Sequence, residues 1–287
     1  MTAVGKCRQA TNLETEIMTS ARQQEASTLQ KVPTGGQPGT VTLIRGLRVL
    51  EAMAGSDEPV GVGELSRQVD LAKSTVQRLL RTLQQEGWAE TSNEPITRWQ
   101  LSPRLLAIAR RSAPSRTLRE VALPHLTALG ERSGETIHFS VPDGDARLVL
   151  IERVDSVHPV RTFNPIGAST AYHTSASGKA FMAALPDQEV EAMLARPLDK
   201  AMPNTVVDPR QLLHQVLEAR ERGYGVNISE NRAHVCAIGS AVTNPAGRPI
   251  AAVAISMPDI RFAPARIPEW GAWVRETAGA ISQALAE

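Results

Sequence analysis

The sequence predicts an α+β chain organised as two domains. Three observations carry that expectation. Three short helical stretches followed by a two-stranded hairpin occupy residues 41–103. Paired apolar runs with turn residues between them, alternating with helical stretches, fill residues 118–287. A polar segment, residues 1–40, precedes both and ends in Pro33-Thr34-Gly35-Gly36-Gln37-Pro38-Gly39, a composition that buries no core and reads as a mobile tail. At 287 residues the chain exceeds one ordinary core.

In the first domain Ile44, Leu47, Leu50 and Met53 recur every third residue and predict one helical stripe, stopped at Gly55-Ser56-Asp57-Glu58-Pro59. A short helix over 63–69 and a turn at Asp70-Leu71 follow. A third helix over 72–86 ends at Gly87, a residue suited to the position after a helix. Residues 88–90 read as a strand, 91–95 as a turn and 97–101 as the returning strand, with Trp88 and Trp99 in the hairpin core. Helix, helix, helix and hairpin together make a winged helix-turn-helix over 41–103. Residues 104–117 read as a linker helix, interrupted at Pro114.

In the second domain, helices are expected over 118–132, 178–185, 187–195, 209–222 and 266–285. Strands are expected over 137–141 and 147–154 around the turn at 142–145. A second pair, 235–243 and 249–257, surrounds Asn244-Pro245-Ala246-Gly247.

The third helix carries the most chemistry. Val76, Leu79, Leu80 and Leu83 fall at i, i+3, i+4 and i+7 and form its buried stripe. Ser74, Gln77, Arg78 and Arg81 repeat that spacing on the opposite face. Arginine can bridge guanine, glutamine can pair with adenine, and short hydroxyls such as those of Ser74 and Thr75 reach phosphates. Lys73 adds charge at the helix entrance, and no acidic residue occurs from Lys73 to Gln85. Residues 95–119 contain six arginines (98, 104, 110, 111, 116, 119) and no carboxylate, an arrangement that phosphates reward through counterion release. Arg98 in the wing and Arg45 on the first helix complete the candidate set, and the partner is double-stranded DNA. Taken alone, an arginine-rich helix face is a solvated surface. The ordered combination of three helices, polar face and basic hairpin points to DNA. The formal net charge of +1 contributes nothing to that argument.

Hydrophobic residues make up 42% and charged residues 21% of the chain, in the range of globular proteins. Two cysteines, Cys7 and Cys236, give neither a disulfide framework nor metal-ligand spacing. No apolar window is long enough for a transmembrane helix. The N-terminus carries Glu14, Glu16 and Glu25 rather than the apolar core of a signal peptide. The expectation is a cytoplasmic protein with no membrane partner, no metal and no cofactor. Ser175-Ala176-Ser177-Gly178-Lys179 precedes an apolar helix, and free N–H groups at such a start suit a carboxylate. It lacks the spacing of a P-loop, and no Gly-x-Ser-x-Gly elbow occurs. His138 and His173 have no nucleophile or carboxylate partner at a telling spacing, so no catalytic set is identified and no enzyme is expected. His138 reads as a satisfied core residue, Cys236 as a small buried hydrophobe, and Lys179 as a surface pair or fold support.

Two sets of motifs then point to one family. The first comprises Arg45-Gly46-Leu47-Arg48-Val49-Leu50-Glu51, Glu64-Leu65-Ser66, the run Leu71 to Leu83, Gly87-Trp88 and Trp99-Gln100-Leu101-Ser102-Pro103-Arg104-Leu105. The second comprises Pro165-Ile166-Gly167, His173 to Ala180, Arg222-Gly223-Tyr224, Glu230 and Ile250 to Ser256. In these the chain resembles the IclR-type bacterial regulators over about residues 41–285. The resemblance implies a dimer or dimer of dimers, a linker helix, and a GAF-like effector domain (118–287) for small organic or aromatic acids. Family effector positions carry over to Gly167, Ala168, Asn227, Ala237, Ala254 and Ser256, with Cys236 beside Ala237, and His173 joins them as a possible anchor. This chain departs from the family in placing Asn227 where Asp is common, Ala237 where Cys is common, and Ala254 in place of one of two serines. A Gly is also replaced near His234. Fewer polar anchors remain, so the effector of a relative does not transfer. The resulting expectation is a ligand-responsive regulator of a pseudo-palindromic operator. The alternatives are a two-domain enzyme whose N-terminal module docks protein, and a ligand-independent DNA binder.

Overall fold

The computed structural model describes residues 40–56, 58–92, 96–105, 107–108, 118–144 and 146–286. They fall into two compact units, divided between Ser112 and Ala113. Residues 1–39 of the expected tail, 93–95 of the expected turn, and 106 and 109–117 of the expected linker helix lie outside the described residues, and with them Arg110, Arg111 and Arg116.

The first unit contains α1 (Val41–Ala54), α2 (Val62–Gln68), α3 (Lys73–Gln85), β1 (Ala89–Ser92) and β2 (Arg98–Leu101). Its core joins Val49, Ala52 and Met53 of α1 to Leu65 of α2, to Val76, Leu79 and Leu80 of α3, and to Val60, Ala89 and Trp99. The α3 stripe is as expected from the spacing. The α1 stripe is met only in part: Met53 is buried and Ile44 and Leu50 are half-buried, but Leu47 is 49% exposed and the unexpected Val49 is buried in its place. The reason is geometric. A step of three residues advances 300°, so a strict i+3 series rotates about 60° backwards each time and leaves the face within a few steps.

The α2–α3 turn places Asp70 at φ 52°, a conformation that Asp tolerates better than most residues. The Ser66 hydroxyl closes it by donating to Leu71 O at 2.6 Å. At the far end of α3, Gly87 has φ 76°. Trp88 N donates to Leu83 O at 2.7 Å and Gly87 N to Gln84 O at 3.0 Å, so two otherwise orphaned carbonyls are satisfied. The wing strands pair antiparallel from Ala89↔Leu101 to Ser92↔Arg98, and Val60 bridges Trp99 on the other side. Trp99 is buried as expected. Trp88 is half-buried, with the Arg104 guanidinium 5.4 Å above its ring.

The second unit contains α4 (Leu118–Ser133), β3 (Thr136–Pro142), β4 (Arg147–Val154), β5 (Ser169–Ala171), α5 (Ala176–Ala183), α6 (Asp187–Leu194), α7 (Pro209–Arg222), β6 (Gly225–Ile228), β7 (Val235–Thr243), β8 (Pro249–Pro258) and α8 (Ile267–Ala284). Its six strands form one sheet in the order β5-β4-β3-β8-β7-β6, antiparallel throughout. α4 and α8 cover one face through Leu126, Leu129, Trp270, Val274 and Ile281, against Ile137, Phe139, Ile238, Val253 and Ile255. On the opposite face α5 and α7 pack Phe181, Met182, Leu212 and Val216 with Leu148 and Ala252. β5 and β6 are additions to the expected elements.

Candidate functional site

α3 enters from the turn with Lys73, Ser74, Gln77, Arg78 and Arg81 all exposed and Thr75 half-buried. With Val76, Leu79 and Leu80 buried beneath, these side chains form one outward face, in the amphipathic arrangement that base and phosphate contacts require. Arg45 is exposed on α1. The other basic residues are more committed. Arg98 donates to Pro59 O at 3.0 Å and lies 3.5 Å from the Glu64 carboxylate, so it ties the wing to the start of α2. Arg104 donates to Glu86 O. Arg119 pairs with Glu152 at 2.5 Å in the second unit. The three described arginines of the 95–119 run are thus each engaged within the chain.

In the second unit the register gathers part of the expected ligand set. Asn227 pairs with Ala237, and Ala237 with Ser256, in one row across β6, β7 and β8. Ala254 lies two residues along β8 on the same face, between His138 of β3 and Gly239 of β7. The start of α5 lies against this face. A side chain on Gly239 would sit 2.9 Å from Ser177 N, and one on Gly178 would meet the Tyr172 backbone at 2.3 Å. Both glycines are what allow the helix to approach so closely.

Several expected anchors turn out to be engaged already. Strand alternation puts Cys236 on the α4/α8 face, away from Ala237. There burial pushes its thiol above the usual range, which disfavours the nucleophilic thiolate, and the side chain points away from the Ala237–Ser256 row. The His173 Nε2 atom bonds Asp199 O at 2.9 Å. Gly167 N donates to Leu150 O at 2.7 Å, and Ala168 N to Pro165 O at 3.1 Å. Asn227 donates through Nδ2 to Thr174 O and accepts from Glu230 N at 3.3 Å. At α5 the Ser175 hydroxyl accepts from Gly178 N at 3.0 Å. Lys179, expected at the surface or as fold support, is 1% exposed. It lies 2.6 and 2.7 Å from the two Glu230 carboxylate oxygens and donates to Val226 O at 3.3 Å. Burial pushes this ammonium down from its ordinary value, and Glu230 pulls in the opposite direction.

His138 reverses the expectation of a satisfied core residue. It is 9% exposed, and its Nε2 atom is buried with no hydrogen-bond partner among the described residues. Such an orphan costs about 1–3 kcal/mol. Burial first, then Arg153 and Arg232, hold the imidazole down at about 4 against an opposing pull from Asp155, so it is neutral at pH 7. Sequence signals for it were weak, since a lone histidine on an apolar strand is ordinarily packing.

A groove of about 460 Å³ lies elsewhere, lined by Asn204, Gln215, Glu218, Arg222, Val226, Glu230 and Ile267 among others. It is outside the expected ligand row. No cluster of three or more His, Cys, Asp or Glu that could hold a metal occurs among the described residues, and none of their helices is long and apolar enough to cross a membrane.

Comparison with known proteins agrees across the chain. Residues 42–92 match the model of the IclR helix-turn-helix domain, and residues 111–283 that of the bacterial transcriptional regulator IclR C-terminal domain. The transcriptional repressor IclR of Escherichia coli K12 is 33% identical over 254 residues, covering 88% of this chain and 92% of the relative. The crystal structure of the Thermotoga maritima IclR superposes with a TM-score of 0.69 at 26% identity, over 86% of this chain and 99% of the other. An IclR homolog from Microbacterium hydrocarbonoxydans, complexed with 4-hydroxybenzoate, superposes with a TM-score of 0.70 at 26% identity, over 85% and 98%.

Proposed function

The chain belongs to the IclR family of bacterial transcriptional regulators, and from that premise we propose that it binds a pseudo-palindromic operator as a dimer or dimer of dimers and responds to a small organic or aromatic acid. The observation that carries the DNA reading is the exposed α3 face of Ser74, Gln77, Arg78 and Arg81, opposite the helix's buried apolar stripe. Two such helices in successive major grooves demand half-sites about one helical turn, or a multiple of it, apart. Exposed Leu43 and Leu47, one turn apart on α1, leave an apolar strip that self-association would cover. We assign DNA contact to Arg45, Lys73, Ser74, Thr75, Gln77, Arg78 and Arg81, with Arg98 bracing the wing.

The domain limits proposed are 41–103 for DNA binding, 104–117 for the linker and 118–287 for the effector. Support for an acid comes from the relative bound to 4-hydroxybenzoate and from the sheet face carrying Ala237, Ala254 and Ser256. An effector switches operator binding only to the extent that it binds one conformation better than another.

The test is to incubate the protein with sheared genomic DNA of its host at two salt concentrations and sequence what stays bound. A few sharp sites sharing an imperfect palindrome are expected. Binding spread over the genome that vanishes at higher salt leaves only the electrostatic attraction and removes the operator. A thermal-shift screen of small carboxylates tests the second half, since a molecule that binds the folded state raises its melting temperature. A protein with sharp sites and no responding carboxylate is the ligand-independent binder.

A further inference from the structure

The second unit has a sheet face suited to a ligand but few uncommitted polar groups on it. The N–H groups of Gly167 and Ala168, both polar ends of the Asn227 amide and the Nε2 atom of His173 are bonded within the chain. Ala237 and Ala254 offer no polar atom. On the same face, paired with Ala254 on one side and Arg153 on the other, stands His138 with its orphaned Nε2.

Its surroundings are electropositive. Arg153 stacks over the Phe163 ring at 4.1 Å, donates to Asn164 O and is paired with the Asp155 carboxylate at 2.6 Å. Arg232 donates to Phe163 O at 2.8 Å. Both guanidiniums thus converge on the segment 162–164. Thr136 Oγ1 donates to Thr162 O at 3.2 Å, and Thr162 Oγ1 to Ser256 O at 3.2 Å, which ties this segment to the same sheet face. Of the charged groups acting on the imidazole, two are cations, Arg153 and Arg232, and one is a carboxylate, Asp155, which pairs with Arg153 and leaves Arg232 as the cation it does not offset. The unpartnered nitrogen therefore lies in a field that favours a second carboxylate.

Resting on the reading that this unit takes a small acid, we propose that His138, flanked by Arg153 and Arg232, is the anion-recognising end of the ligand site and bonds the ligand's carboxylate through Nε2. The bare imidazole is neutral. An arriving carboxylate favours the charged ring, so His138 takes one proton from solvent and an imidazolium–carboxylate pair forms. The segment 162–164, tied through Thr162 to Ser256 O, borders the same face, where Ala237 and Ala254 present only small side chains. Recognition has shifted to β3 and β4 in this chain, while the row on β6, β7 and β8 supplies shape.

The experiment uses the full chain with acetate, pyruvate, benzoate and 4-hydroxybenzoate as probes. Thermal shift ranks them, and calorimetry of the tightest binder in two buffers of different ionisation enthalpy at pH 6.5 counts protons. Wild type is expected to bind at least one probe with net proton uptake. In His138→Leu affinity falls tenfold or more, while the unliganded melting temperature holds or rises because a buried orphan has gone. His138→Gln recovers part of the affinity, through its amide, without the proton. Arg232→Gln, outside the core, weakens binding threefold or more, which keeps the proposal testable if His138→Leu fails to fold. If His138→Leu binds within twofold of wild type, or wild type takes up no proton, the role of His138 is overturned and the acid-binding reading stands. If none of the four acids shifts wild type, both fall.

Discussion

At the scale of single residues, Arg78 and His138 make opposite kinds of claim. Arg78 was legible because its spacing from Ser74 and Arg81 places it on the α3 face that Leu79 and Leu80 leave outward. If it reads a base, Arg78→Ala lowers specific operator affinity by about 1–3 kcal/mol and relaxes preference at one position. Fluorescence anisotropy on the operator and on single-base variants measures this, and unchanged affinity removes the assignment. His138 was not legible, because the sequence shows a histidine among apolar residues and not whether its nitrogen finds a partner. Its consequence for pH is specific. The folded value of about 4 lies below the ordinary 6.5, so the unfolded chain binds more protons throughout that window. Stability therefore rises with pH between the two values and is lost as pH falls through them, by about 3 kcal/mol at most. Urea unfolding of wild type and His138→Leu at pH 6.5 and 4.5 should show wild type losing the greater share. Parallel losses in the two proteins contradict it.

At the scale of elements, punctuation made some boundaries readable and burial hid others. α7 begins at Pro209 behind Asp208, whose carboxylate accepts from Gln211 N at 2.9 Å, and ends at Gly223 with φ 81°. Cap, proline and glycine are all visible in the sequence. α5 was expected to start at 178 and starts at Ala176. All eight of its residues are buried, so no amphipathic period marks it. β5 and β6 have three and four residues, too few for alternation to register. The buried pair linking α5 to the loop after β6 was equally invisible, because Lys179 and Glu230 are 51 residues apart. Its energetics follow from desolvation. Lys179→Met strands a buried carboxylate and should destabilise by about 3–5 kcal/mol, whereas Lys179→Met with Glu230→Met should cost less than the single change. Denaturation of both variants decides this: a double variant less stable than Lys179→Met contradicts the stranded-charge account, and the double variant against wild type measures what the pair contributes.

At the scale of the whole molecule, the formal net charge of +1 means that long-range attraction to DNA must come from where charges sit, not how many there are. The structure thins out the local supply as well. Arg98, Arg104 and Arg119 are held by Pro59 and Glu64, by Glu86, and by Glu152 respectively. Among the described residues, the charge proposed to contact phosphate thus lies at Lys73, at the entrance of α3, with Arg81 further along and Arg45 on α1. That makes salt dependence diagnostic. Each phosphate neutralised contributes about −0.9 to the slope of log affinity against log salt concentration. In a dimer carrying two copies of the helix, Lys73→Ala should flatten the slope by about two and weaken operator and nonspecific DNA alike. Arg78→Ala, as a base reader, should lower operator affinity and leave the slope nearly unchanged. Titrations of wild type and both variants across a fourfold salt range separate the two roles. A slope unaltered by Lys73→Ala moves the phosphate contacts off the α3 entrance, and a slope flattened by Arg78→Ala makes Arg78 a backbone anchor instead of a reader.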